Sequence, residues 1–148
     1  MLIEKKLEEM GITLKDLGPC NHPILRTKQA GNLVFISGHG FNMFGKLGKE
    51  LTTEEGYEAA RGTTINCLSA LKMHIGDLDK VKNFIKVFGM VNSAEGFSEQ
   101  PAVINGCSEL LISVFGEEIG SHARSAVGMA ALPRNIAVEI EMIVEVED

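Results

Sequence analysis

The sequence predicts an α+β fold in which two helices cover one face of a single mixed β-sheet. Segments with strand-like alternation and segments with helical spacing follow one another in the order hairpin, helix, strand, helix, two strands. Each helix can connect two strands of the same sheet by a crossover. The length of 148 residues, with 45% apolar and 23% charged residues, suits one globular domain that spans residues 1–148.

The first predicted elements are a hairpin and a helix. In "ILRTKQAGNLVFISGHG", Gly31-Asn32 is a two-residue, glycine-first loop between extended segments, which favours a β-hairpin. The next segment, "LTTEEGYEAARGTTINCLSALKMHIGD", has apolar residues at helical spacing. Thr52 and Glu55 have the spacing of a capping box, and Gly76 is a natural helix stop.

A strand and a second helix follow. "DKVKNFIKVFGMV" predicts a covered strand with Val81, Ile85 and Val87 on one face. The helix after the loop "NSAEGF" is predicted to take Ser98 as its N-cap. Its apolar residues form one broad stripe that should face the sheet, namely Val103, Ile104, Cys107, Leu110, Leu111, Val114 and Phe115.

Two strand-like runs end the sequence and carry opposite charges. In "IAVEIEMIVEV" the aliphatic face should lie under the helices, which leaves Glu139 and Glu141 on the uncovered face. In "RSAVGMA" the apolar Val127 and Met129 are assigned to the covered face. This assignment places Arg124 on the same side as the glutamates.

The arginine and the glutamates allow two interpretations. If Leu132 to Asn135 form a simple turn, antiparallel pairing brings Arg124 opposite the region of Glu139 and Glu141, and a solvent-exposed ion pair of little energetic value explains the pattern. The small Ala126 and Gly128 beside the arginine instead favour a shallow polar recess or a subunit contact. Arginine suits such a recess because its planar guanidinium binds a carboxylate through two hydrogen bonds.

Composition excludes several classes of function. A net charge of −6, one tyrosine and no tryptophan argue against a nucleic-acid partner. No apolar run approaches the roughly 18 residues of a membrane span, and "MLIEKKLEEMG" has no signal-peptide core, so we expect no membrane association and a cytoplasmic location. The three cysteines, Cys20, Cys67 and Cys107, are far apart and are interpreted as core residues.

Phosphate and metal motifs are incomplete. The segment "GFNMFGKL" matches a P-loop except for Leu47, where the motif needs Ser or Thr, so it is interpreted as a flexible loop. The histidines show neither HxH nor HExxH spacing, so we expect no metal site. His39 lies at a strand end, where site residues occur, but it is interpreted as an ordinary turn or surface histidine.

Longer motifs resemble a known family. The segment "ARSAVGMAALPRNIAVEIEMIV" resembles the C-terminal signature of the YjgF/RidA family, also called the endoribonuclease L-PSP family. "GNLVFISGHG" resembles that family's N-terminal hairpin, and "GDLDKVKNFIKVFGMVNSAEGF" its central strand and following loop. The resemblance implies a chorismate-mutase-like fold and a homotrimer with clefts between subunits.

The resemblance also implies an activity and its residues. Members of one branch hydrolyse reactive imines and enamines, such as 2-aminoacrylate, to a 2-oxo acid and ammonia without a cofactor. The arginine that binds the substrate carboxylate corresponds to Arg124, and the glutamate that orients the attacking water corresponds to Glu139. Weaker correspondences extend to other residues of the cleft, namely Ser37, Gly38, Asn105 and Ala126.

Two departures from the family pattern leave the activity open. The deaminase branch has a cysteine where this sequence has Ala126 and a hairpin tyrosine that falls near Ile24 or Leu25. The connection "FGEEIGSH" before Arg124 is also slightly longer. A divergent deaminase is therefore one interpretation, and a non-catalytic protein that binds a small carboxylate metabolite is the other. A ribonuclease or translation inhibitor rests only on a historical family name, and the acidic charge counts against it.

Overall fold

The chain folds into five strands and three helices within residues 1–20 and 23–148, the part that the computed structural model describes. Short 3₁₀ turns at Leu78–Lys80 and Pro133–Asn135 precede β3 and β5. The elements in chain order are α1 (Leu2–Glu9), β1 (Thr27–Ala30), β2 (Leu33–His39), α2 (Thr53–Ile75), β3 (Val81–Asn92), α3 (Gln100–Gly120), β4 (Ala123–Met129) and β5 (Val138–Val146).

The strands form one mixed sheet in the order β1-β2-β5-β3-β4. Strands β3 and β4 pair in parallel, as the α3 crossover requires, and the other neighbours pair antiparallel. Helix α2 packs on β2 and β5, and α3 packs on β3 and β4. The predicted α+β fold is confirmed, but the prediction of two helices missed α1, whose buried Leu7 joins the same core.

Local signals along the first half are confirmed. The hairpin closes at Gly31 (φ 60°), with Ala30 opposite Leu33. At the start of α2, Thr52 Oγ1 accepts from the Glu55 N–H at 3.2 Å, and Glu55 Oε1 accepts from the Thr52 N–H at 2.9 Å. Gly76 (φ 82°) ends the helix in a conformation that favours glycine.

The predicted face of β3 is wrong at Ile85. Its side chain is 40% exposed, whereas Phe84 is 2% exposed and lies in the core. The register shifts between Val81 and Asn83 and again between Phe84 and Lys86, where β3 pairs with β5. These irregularities change which residues face the helices, so simple alternation fails.

Helix α3 begins later than the sequence predicts. Its N-cap is Glu99, which makes no side-chain capping bond, so the prediction of Ser98 is wrong. The predicted apolar stripe is confirmed, because all seven of its residues are buried. The segment "FGEEIGSH" is not a plain connection: the chain leaves helical geometry at Gly116 (φ 86°, ψ 163°), and the next four residues form a further turn of helix.

The two C-terminal strands are not neighbours, which corrects the predicted pairing. Strand β3 lies between β4 and β5, so no direct pairing places Arg124 opposite Glu139. The segment from Ala130 to Ala137 passes the end of β3 instead of forming a hairpin turn. The parallel crossover through α3 causes this arrangement, because it delivers β4 to the edge of the sheet.

The cysteine prediction holds for two residues of three. Cys67 and Cys107 are fully buried, whereas Cys20 is partly exposed. Within residues 1–20 and 23–148, each helix is too short or too polar to cross a bilayer.

Candidate functional site

Arg124 lies on the helix-covered side of β4, which corrects the predicted face. It is in register with Val87, whose side chain is fully buried beneath the helices. Val127, which the sequence assigned to the covered side, is 36% exposed instead. The sequence prediction failed because β4 is an edge strand, and its apolar side chains need not face its own core.

The Arg124 guanidinium contacts neutral acceptors of α3. Its Nη1 donates to Asn105 Oδ1 at 2.8 Å and to Ser108 Oγ at 3.2 Å. Asn105 and Ser108 are three residues apart, so they share one face of α3. None of the ion pairs found within residues 1–20 and 23–148 involves Arg124. The pocket therefore contains a cation that no carboxylate of the described chain neutralises.

A cavity of about 260 Å³ opens at this guanidinium. Its lining includes a hydrogen-bonded chain, because Ser108 Oγ lies 2.9 Å from His122 Nε2 and His122 Nδ1 lies 2.7 Å from the Gly120 carbonyl. Burial lowers the pKa of His122, and the positive charge of Arg124 lowers it further. The full lining is Asn105, Ser108, Ile112, Ser121, His122 and Arg124.

Ala126 follows Arg124 on the same side of β4. It is in register with Gly89 and packs, partly buried, against the hydrophobic core. A methyl group at this position offers no hydrogen bond to a ligand or to water. Any polar group that handles a reacting water in this pocket must come from another residue.

Glu139 lies on the opposite side of the sheet from Arg124. Its register partner on β3 is Met90, and its chain neighbours Val138 and Ile140 point into the core. The carboxylate rests against Gly38, where an added Cβ would overlap it and would lie 3.0 Å from its Cδ. Burial raises the pKa of Glu139, and the like charge of Glu141 raises it further.

Ser37 and Gly38 belong to the Glu139 side of the molecule. Ser37 Oγ donates to the Leu25 carbonyl at 2.5 Å, and its N–H donates to the Arg26 carbonyl at 2.8 Å. The hydroxyl of Ser37 thus fixes the segment before β1. The structure divides the predicted site residues into two groups, Arg124, Asn105 and Ala126 against Glu139, Gly38 and Ser37.

His39 is a structural contact at the end of β2. Its Nδ1 donates to the Ser37 carbonyl at 2.6 Å, and Nε2 accepts from Arg26 Nη1 at 3.4 Å. Burial lowers the pKa of His39. A neutral imidazole suits this position because Nε2 must accept from a cation.

The glycine-rich loop "GFNMFGKL" is anchored through its lysine. Lys46 Nζ donates to Asn92 Oδ1 at 2.9 Å and also to the Ala130 carbonyl. Asn92 is fully buried and donates to Asn135 Oδ1 at 2.9 Å and to the Ile136 carbonyl at 3.0 Å. Lys46 therefore ties this loop to the connection before β5.

An acidic cluster and a larger cavity lie away from both groups. Carboxylate oxygens of Glu4, Asp77 and Asp79 lie within 4.8 Å of one another. Asp79 accepts from the backbone N–H groups of Leu2 and Ile3, and Glu4 pairs with Lys72 at 2.9 Å. A cavity of about 370 Å³ adjoins the Glu4–Lys72 pair and contains none of the predicted site residues.

Sequence reasoning missed Ser108 and His122. Ser108 lies one helical turn after Asn105, and His122 lies two residues before Arg124. These spacings place both beside residues that the family resemblance had selected, and that was the available signal. A search for metal-binding histidine motifs could not detect the contact between Ser108 and His122, because the partner of His122 is a serine on another element.

One mixed five-stranded sheet with helices on one face defines an α+β protein. The sequence matches the family described as "YjgF/chorismate_mutase-like, putative endoribonuclease" over residues 5–146. The chain belongs to this YjgF family.

The chain is similar to three known proteins over most of its length. Protein TCP17 of Trypanosoma cruzi is 48% identical over 106 residues, which cover 72% of this chain and 66% of that protein, so the chain spans slightly less than two thirds of it. A 2-iminobutanoate/2-iminopropanoate deaminase of Dermatophagoides farinae is 29% identical over 97% of this chain and 98% of that one. The crystal structure of Atu1372 from Agrobacterium tumefaciens, a protein of unknown function, is 38% identical, with a TM-score of 0.90 over 99% of this chain and 93% of that one.

Proposed function

We propose that this protein is a cofactor-free hydrolase of small 2-imino and 2-enamino acids, which it converts to 2-oxo acids and ammonia. Family membership and the name of the Dermatophagoides farinae relative support this reaction class. In the proposed reaction Arg124 binds the substrate carboxylate, and Glu139 takes a proton from the attacking water. Asn105 and Ala126 border the Arg124 side of the proposed cleft, and Ser37 and Gly38 border its Glu139 side.

The observation that carries the proposal is the set of groups around the Arg124 guanidinium. Its guanidinium faces a cavity, is held by the neutral Asn105 and Ser108, and forms none of the ion pairs found in the described residues. An arginine held in this way is prepared for a carboxylate, because the orienting contacts do not neutralise its charge. A substrate with one carboxylate and a small reacting group fits the cavity of about 260 Å³.

Glu139 has the properties of a general base. Its raised pKa brings a carboxylate closer to neutral pH, where it accepts a proton more readily. The water oxygen bonds to the carbon of the protonated imine, the C=N electron pair moves to the iminium nitrogen and neutralises it, and the water proton moves to Glu139. Because Arg124 and Glu139 lie on opposite sides of one sheet, the complete site requires Glu139 from a neighbouring copy.

A homotrimer would supply that neighbouring copy. The sheet face without helices presents Phe35, 43% exposed, and Val127, 36% exposed, together with the partly exposed Phe88 and Ile143. These apolar side chains lie on β2, β4, β3 and β5, so the apolar surface extends across the sheet and is not confined to one edge. An apolar face of this kind favours association with other protein surfaces, and we propose that its partners are two further copies of the chain.

The test uses the intact protein with a dehydratase that releases 2-aminoacrylate from serine. We expect faster formation of the 2-oxo acid than the uncatalysed rate, and loss of this acceleration in Arg124→Ala. Arg134→Ala is the matched control, because Arg134 is an exposed arginine in the connection before β5. No acceleration by the parent, or full activity of Arg124→Ala, would refute the deaminase.

A second candidate is a non-catalytic protein that binds a small carboxylate metabolite. Ala126 favours this alternative, because its methyl group lies where the deaminase branch has a cysteine. It predicts that pyruvate raises the melting temperature of the parent but not of Arg124→Ala, with no turnover of any imine.

A further inference from the structure

We propose that Ser108 and His122 form a proton acceptor inside the Arg124 pocket and complete the hydrolysis that Glu139 begins. This inference deepens the proposed deaminase and rests on it. It assigns the polar group that Ala126 cannot supply. Hydrogen bonds join Arg124, Ser108, His122 and Gly120 into one chain.

The direction of each hydrogen bond follows from the groups involved. The Gly120 carbonyl can only accept, so His122 Nδ1 carries a proton and donates at 2.7 Å. A neutral imidazole with a proton on Nδ1 has a free electron pair on Nε2. Arg124 can only donate, so the Ser108 hydroxyl accepts from Nη1 at 3.2 Å and donates its own proton to His122 Nε2 at 2.9 Å.

This arrangement keeps His122 neutral and ready to accept a proton. Burial lowers the pKa of the imidazole, and Arg124 on β4 is the charged group whose repulsion lowers it further. The α3 side of the pocket contributes the uncharged Ser108 hydroxyl and Asn105 amide, and the end of α3 contributes the Gly120 carbonyl. At neutral pH the imidazole is therefore a base whose Nε2 accepts a hydrogen bond from the Ser108 hydroxyl.

A ligand bound to Arg124 in the cavity would lie against the Ser108–His122 pair. Arg124, Ser108 and His122 all line the same space, and Ser108 Oγ lies 3.2 Å from the nitrogen of Arg124 that it contacts. A small 2-imino acid whose carboxylate binds Arg124 has its reacting carbon one bond from that carboxylate. The hydroxyl formed on this carbon comes within reach of Ser108.

The second step of hydrolysis needs such a base. After water adds to the iminium and Glu139 takes its proton, the intermediate carries a hydroxyl and an amino group on one carbon. Glu139 returns a proton to the amino nitrogen, and the C–N electron pair leaves with ammonia. The hydroxyl proton moves through Ser108 to His122 Nε2 as the C=O bond forms, and His122 then releases it to solvent. Iminium and water become 2-oxo acid and ammonium.

The first test measures kcat and KM of Ser108→Ala and His122→Gln with enzymatically generated 2-iminopropanoate. In His122→Gln we expect kcat to fall about 10²- to 10⁴-fold with little change in KM, since the imidazole acts after binding. Ser108→Ala should lose kcat to a similar extent, and its KM should rise only modestly because Asn105 still holds Arg124. The double variant should be no worse than either single one. His74→Gln is the control, because His74 also hydrogen-bonds two side chains, Thr27 and Gln29, but lies elsewhere.

The pH profile separates a proton acceptor from a structural contact. In the parent, kcat should fall on the acid side as His122 becomes protonated, and His122→Gln should lose that part of the profile. Melting temperatures measured alongside show whether the variants are folded. Folded variants that keep kcat within about twofold of the parent and an unchanged acid limb would overturn the proposal.

Nuclear magnetic resonance of the His122 ring gives a readout without turnover. We expect the proton on Nδ1 in the free protein, and pyruvate should raise the pKa of His122 because its carboxylate offsets the charge of Arg124. A parent that hydrolyses no imine refutes the deaminase. In that case, a His122 signal that does not change when pyruvate is added overturns the Ser108–His122 pair as well. If pyruvate raises the pKa of His122 in the parent but not in Arg124→Ala, the pair is retained as part of a ligand site.

Discussion

Gly38 and Glu139 occupy adjoining space across strands β2 and β5. The carboxylate of Glu139 fills the position that a Cβ at residue 38 would take, and its Cδ would lie 3.0 Å from that atom. The register between β2 and β5 shifts at this point, between Ile36 and His39. The missing side chain and the irregular strand together give Glu139 its place on the sheet.

The variant Gly38→Ala should therefore displace Glu139. We expect a loss of unfolding free energy of at most about 1 kcal/mol, because the atoms that must move are the flexible end of a partly exposed side chain. In a Glu139→Ala background the same change should cost much less, because the space is then free. Denaturant unfolding of both single variants and the double variant at one protein concentration measures the coupling. Additive losses would mean that the two residues do not compete for this space.

Replacing Glu141 should change the titration of Glu139. The neighbouring negative charge helps to raise the pKa of Glu139, so Glu141→Gln should lower that pKa while burial still holds it above its usual value. In the proposed reaction Glu139 acts as a general base, which works when ionised, so the acid limb of the activity profile should move to lower pH. Carboxyl ¹³C chemical shifts report the same titration directly. Glu147→Gln, an exposed residue beyond β5, should leave Glu139 unchanged.

The buried Asn92 should be important for stability. Its amide joins Lys46, Asn135 and the Ile136 carbonyl through three hydrogen bonds. Asn92→Ala removes these hydrogen bonds from their partner groups, so we expect a loss of about 2–4 kcal/mol of unfolding free energy. Thermal or denaturant unfolding measures the loss. The exposed Asn42 is the matched control, and Asn42→Ala should cost less than about 0.5 kcal/mol.

A charge on the open face should prevent assembly. Val127 is 36% exposed on the edge strand β4, and Val127→Lys should shift the protein from the proposed trimer toward monomer in analytical ultracentrifugation. Met73→Lys, at a 47% exposed position of α2, should leave the assembly unchanged. The melting temperature of each monomeric fraction checks its folding. A monomeric parent, or a trimer that tolerates Val127→Lys, would contradict the proposed assembly.

Signals contained in a few consecutive residues were predicted well from the sequence. The capping box of Thr52 and Glu55 and the stop at Gly76 depend on contacts within one turn of chain, so the residue types suffice. The apolar stripe of α3 was also correct, because helical spacing repeats whatever the helix packs against.

The face and neighbours of β4 could not be predicted in this way. The position of β3 between β4 and β5 results from a crossover of more than twenty residues, and no local pattern in "RSAVGMA" records it. Arg124 contacts Ser108 across sixteen residues of chain, and Ser108 contacts His122 across fourteen. Alternation indicates that two faces exist, but packing between distant segments decides which one the helices cover.

The position of β5 has a consequence for folding. It follows every other described element in the sequence, yet it pairs with β2 on one side and β3 on the other. Until β5 has been synthesised, the β1–β2 hairpin and the β3–β4 pair have no strand to join them, and both expose edges that can pair wrongly. Correct folding of this protein therefore depends on a single nine-residue strand that has to pair along both of its edges.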